Sequence, residues 1–108
     1  MWDEGYIYIV ECDDNYKIGI SVLPEQRVSL IKTDNAKPVS LVYLKEVPFA
    51  EDGERRIHKD LRERGLHVRG EWFKLDGETL DEVIHFIENY ADTVRNMIEE
   101  LDTSPPLL

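Results

Sequence analysis

Only one cysteine, Cys12, occurs in the 108 residues. It has no partner within the chain, so a disulfide framework is excluded and a reducing, cytoplasmic setting is expected. No helix start or basic neighbour stands beside it to favour a reactive thiolate. Long apolar runs are also missing. None approaches the roughly 20 residues that cross a bilayer, and the first residues lack the basic and apolar pattern of a signal peptide, so no membrane partner is expected. Basic residues are scarce, with 13 Lys and Arg against 23 Asp and Glu and a formal net charge of −10. Such a surface does not bind polyphosphate strongly as a whole. No Cys/His zinc spacing, phosphate-cradling Gly-rich loop, Ser-His-Asp arrangement, internal repeat or low-complexity segment is found.

What is present is the composition of one folded domain, 42% hydrophobic over 108 residues. The charge is unevenly distributed. Residues 55–69 hold six Lys and Arg against Asp60 and Glu63, whereas residues 76–102 hold nine acids against Arg95 alone. The two segments read either as solvated helix faces or as a basic face for an anionic ligand beside an acidic tail helix that weakens non-specific binding.

Tyr6–Val10 predicts a strand buried at least partly on both faces. Asp13, Asp14 and Asn15 turn the chain into a second strand, Tyr16–Ile20. Pro24 suits a first helical turn, and that helix runs to about Thr33 with Leu23, Arg27, Leu30 and Ile31 at helical spacing. A third strand covers Val39–Val47 and stops at Pro48. A second helix runs from about Ala50 to Arg64 and ends at Gly65, with Ile57 and Leu61 on one face. Glu71–Leu75 reads as a short extended piece. Asp76 or Thr79 then caps a long amphipathic helix to about Leu101, whose apolar stripe includes Leu80, Val83, Ile84, Ile87, Ala91, Val94 and Ile98. The expected fold is α+β, a small antiparallel sheet flanked by helices with a long C-terminal helix. Residues 1–77 would form the main body, 78–102 an acidic helix of the same domain, and 103–108 a loose tail. The position of Trp2, core or surface, is left open.

Within this order several short motifs stand in sequence. They are Tyr6-Ile7-Tyr8, Lys17-Ile18-Gly19, Arg27, then Glu54 and His58 in "GERRIHKDL", and "GEWFKL" over residues 70–75. The set resembles the GIY-YIG endonuclease superfamily, in particular a short phage-type branch whose second motif reads KIG. The resemblance spans roughly residues 5–75. Tyr6 replaces the glycine of the first motif. Ile31 stands one turn after Arg27, where many members have His or Tyr. The asparagine that other members place near the end of the domain has no clear counterpart, and Glu71 occupies that region.

The resemblance implies metal-dependent hydrolysis of DNA phosphodiester bonds. Glu54 would hold one Mg²⁺ or Mn²⁺, a hard ion that keeps several waters and also binds phosphate oxygens. Arg27 would grip the scissile phosphate with its planar fork. Tyr8 would act as general base or proton relay, with Lys17 on the paired strand lowering its phenolic pKa. His58 would position water or phosphate, or simply pack. Tyr6, Arg55, Arg56, Lys59 and Arg62 would contact substrate. Glu71 is expected to cap or to pair with an arginine rather than to bind metal. Without the resemblance, Glu54 reads as a helix carboxylate paired with His58 at i,i+4, Arg27 as a surface ion pair, and Tyr8 as a packed strand aromatic.

The net charge implies weak, salt-sensitive DNA binding. It also keeps alternatives open: a catalytically weak nucleic-acid or protein-binding module on the same fold, such as a phage-encoded modulator of a host system, or an acidic interaction protein. The apolar stripe of the last helix is expected to pack within the chain, with a homodimer as the less favoured arrangement.

Overall fold

A computed structural model describes residues 4–102. Trp2 and the 103–108 tail lie outside the described residues. Eight elements follow in order: β1 (Glu4–Cys12), β2 (Asn15–Ser21), α1 (Pro24–Asp34), β3 (Ser40–Pro48), α2 (Ala50–Glu63), β4 (His67–Arg69), β5 (Trp72–Lys74) and α3 (Gly77–Asp102). The five strands form one antiparallel sheet in the order β3-β1-β2-β5-β4.

β1 lies second in this sheet, between β3 and β2, with helices on both faces. That is why Ile7, Tyr8, Ile9 and Val10 are all fully buried. The two-residue turn Asp13-Asp14 sets its register with β2, pairing Cys12 with Asn15 and Tyr8 with Gly19. Asp13 takes the left-handed conformation such turns require, at φ 57°.

Alternation along β1 divides the core. Ile7 and Ile9 join Ile18, Ile57, Leu61 and Phe73 under α2 and α3. Tyr8 and Val10 face the other way, against Val28 and Ile31 of α1 and Val39 before β3. α1 therefore packs through Val28 and Ile31, while Leu23 and Leu30, which were read at the same helical spacing as Ile31, are exposed.

The long helix packs on its own chain. Val83, Ile87 and Ala91 sit in the main core, and Arg64–Glu82 and Lys45–Glu88 ion pairs tie its flanks to α2 and β3. Asp76 is its cap, with Oδ1 accepting from the Thr79 amide at 2.7 Å. The end of the stripe leaves the core, and Leu101 is 64% exposed. Burial of the whole stripe was expected; it is buried at Val83, Ile87 and Ala91 and only partly covered beyond, where Arg95 still donates to the Glu46 carbonyl of β3 at 2.9 Å. No helix among the described residues is long and apolar enough to cross a membrane.

Candidate functional site

β5 pairs with β2 only from Asn15 to Lys17. Beyond Lys17 the edge of β2 is free of strand partners, and side chains from other elements gather there. The backbone of Ile18 anchors two of them. Its amide donates to the Glu71 carbonyl at 3.1 Å, and its carbonyl is 2.8 Å from His58 Nε2. A carbonyl only accepts, so Nε2 carries the proton and the Nδ1 lone pair is left free. Burial holds the imidazole pKa below its usual value, against the Ile18 bond, so His58 is neutral near pH 7.

Glu71 comes from the tight β4–β5 turn, where Arg69 pairs with Trp72 across two residues. Gly70 makes that turn possible with φ 50°. The turn leans back on β2 and brings the Glu71 carboxylate within 3.4 Å of Lys17 Nζ. Glu54 reaches the same place from α2. One ligand atom each from Glu54, His58 and Glu71 lie within 4.8 Å of one another. Burial, then the Glu71 carboxylate, push the Glu54 carboxyl up to about 7. Its Oε2 is buried with no hydrogen-bond partner.

Tyr8 lies under this cluster, on the α1 side of the sheet. Its ring occupies the space that a side chain at Gly19 would take: a Cβ there would lie 2.4 Å from the phenolic oxygen. Gly19 is thus needed for the room it leaves. Burial, with Glu71 and Glu54 adding to it, pushes the Tyr8 phenol up to about 12, and Arg27 opposes the rise. Arg27 is exposed and enters no ion pair among the described residues.

The structure thus brings Lys17, Glu54 and His58 together around the middle of β2, with Tyr8 paired to Gly19 there and Arg27 close enough to act on its phenol, from four separate elements. Lys17 differs in its expected action. It is committed to Glu71, its ammonium lies over the Trp72 ring at 5.8 Å, and the buried phenol is raised rather than lowered. Glu71 was expected to cap or to pair with an arginine; it pairs with Lys17 and faces Glu54. The signal for it in the sequence was its place inside "GEWFKL".

Among the expected substrate contacts, Arg55, Lys59 and Arg62 line an open groove of about 400 Å³ with Glu54 and His58. Arg55 is also paired with Asp52 at 2.6 Å. Arg56 turns towards α3, held by Asp52 at 2.9 Å and 6.0 Å from the Tyr90 ring, and is not brought to the groove. Tyr6 shares the face of Tyr8, two residues along β1, half-buried opposite Ser21 and Glu46.

Residues 5–88 match the T5orf172 domain, and the chain belongs to that family. No curated protein and no solved structure matches it significantly.

Proposed function

We propose that the chain is a divalent-metal-dependent endonuclease of the GIY-YIG type, acting on DNA at the free edge of β2. The observation that carries this reading is convergence: a phenol, a guanidinium, a half-buried carboxyl and a neutral imidazole gather there from β1, α1 and α2. A T5orf172 domain suggests a phage-type, nuclease-like or DNA-binding module, which agrees with it.

In this reading Arg27 binds the scissile phosphate, since it is exposed and free of ion pairs while lying close enough to Tyr8 to oppose its raised pKa. Glu54 holds the ion, Mg²⁺ or Mn²⁺, and its orphaned buried Oε2 fits a cation. An ion held there would supply an acidified water and positive charge beside the phosphate. Tyr8 is protonated at neutral pH and acts as an O–H donor at the floor of the site. Burial raises its pKa most and the Glu71 and Glu54 carboxylates add to that, so a cation that neutralised them would undo only part of the rise. His58 orients water or phosphate from its fixed tautomer. Tyr6 meets substrate beside Tyr8, and Arg55, Lys59 and Arg62 meet flanking phosphates along the groove, with Arg56 left outside.

Supercoiled plasmid incubated with the chain and Mg²⁺ or Mn²⁺ tests the reading. Nicking by the wild type, lost in Glu54→Ala and Arg27→Ala, is the expected result. Equal nicking by all three would overturn it. The buried, protonated Tyr8 and the net charge of −10 favour one alternative, a DNA-binding module that cuts poorly. It predicts binding without nicking.

A further inference from the structure

The nuclease reading asks for one metal ligand, Glu54. The surroundings of that carboxyl offer more. We propose that Glu54, His58 and Glu71 form a three-ligand divalent-cation centre, one nitrogen and two oxygens, that prefers Mn²⁺ to Mg²⁺. This rests on the reading above only in placing the ion at Glu54.

Four observations support it. First, a carboxylate oxygen each from Glu54 and Glu71 and a ring nitrogen of His58 lie within 4.8 Å of one another. Donors about 2.1 Å from a shared ion are separated by roughly 3–4 Å, so a small contraction suffices. Second, Glu54 Oε2 is buried and unpartnered, and a buried acceptor in that state calls for a proton or a cation. Third, His58 already has the arrangement of a metal-binding imidazole. One ring nitrogen is tied to the Ile18 carbonyl at 2.8 Å, and the lone pair is left on the other.

Fourth, Glu71 and His58 share one support. The Ile18 amide holds the Glu71 backbone at 3.1 Å, while the Ile18 carbonyl holds the imidazole. Ile18 is fully buried in the centre of the sheet, so both side chains are referenced to a rigid peptide unit. Lys17 meets Oε1 of Glu71 at 3.4 Å from the side, offsetting one of the two carboxylates. Imidazole among the donors decides the preference, because Mg²⁺ favours all-oxygen sites and holds its waters, whereas Mn²⁺ lies further along the series of ions that accept nitrogen.

The test uses the whole chain, freed of metal and without DNA, titrated with Mn²⁺ and followed by the EPR signal of the free ion. One Mn²⁺ per chain is expected, displaced by Mg²⁺ only at about tenfold or greater excess. Glu71→Gln and Glu54→Gln should each weaken Mn²⁺ binding about tenfold or more, as loss of a metal-site residue does. His58 is buried and its variants could misfold, so nitrogen ligation is read on the wild type, by ¹⁴N modulation in pulsed EPR of the bound ion. Failure to bind stoichiometric Mn²⁺, absence of ¹⁴N coupling, or wild-type binding by a folded Glu71→Gln would each overturn the proposal. Binding that depends on Glu54 alone would sink it while leaving the one-carboxylate nuclease reading intact. A three-ligand Mn²⁺ centre on a chain that never nicks DNA would uphold it and sink the nuclease.

Discussion

Glu54→Gln should stabilise the metal-free protein, by an amount that grows as pH rises from about 4.5 to 7 and is constant above that. Folding raises the Glu54 carboxyl from 4.5 to about 7. Between those values the folded chain keeps a proton that the unfolded chain has released. Stability is therefore full below about 4.5 and falls as pH rises through 7. The full conversion is about 3 kcal/mol. Glu54 is only half-buried and Lys17 opposes part of the rise, so solvent screening reduces the expected cost to about 1–2 kcal/mol. Glutamine mimics the protonated carboxyl, so the variant should match the wild type near pH 4.5 and exceed it by that amount at pH 8. Urea unfolding in EDTA at both pH values measures the difference, and the acids remote from Glu54 contribute alike to both proteins and cancel. A variant equally displaced at both pH values, or less stable at pH 8, would refute the reasoning. The same change should abolish nicking, since a site held at a cost to stability is the usual signature of function.

Gly19→Ala should cost about 1–3 kcal/mol in urea unfolding, because its Cβ would fall 2.4 Å from the Tyr8 oxygen, and a neutral outcome would mean the ring has room to move. Ile87→Ala should cost about 2–5 kcal/mol, since Ile87 is fully buried where α3 joins the main core; a loss under about 1 kcal/mol would show that α3 docks loosely. Reversing Arg55, Lys59 and Arg62 together to glutamate should weaken DNA binding on all sequences and flatten its dependence on salt by about two to three ion equivalents, read by fluorescence anisotropy across an ionic-strength series. Arg56→Glu should leave that slope unchanged, because Arg56 faces α3.

Local pattern was enough for most of the elements. The alternation of Tyr6–Val10, the acidic turn at Asp13-Asp14, Pro24 at a helix start and the stripe from Leu80 to Ala91 each act within a few residues, so their outcome is written where they stand. The short β4 strand was not legible. His67–Arg69 is three exposed residues, too few for a period, and exists through pairing with β5. The sheet order, and the free edge of β2 that follows from it, also depend on pairings far apart in sequence. The motif residues could be named from the chain, but their electrical roles could not, because Coulomb interactions follow distance through space. Lys17 was assigned to Tyr8 by strand adjacency, whereas the β4–β5 turn delivers Glu71 to it first. Burial likewise decided that the Tyr8 phenol and the Glu54 carboxyl both keep their protons longer than exposed groups would, which required helices on both faces of β1 and a turn folded back on Ile18.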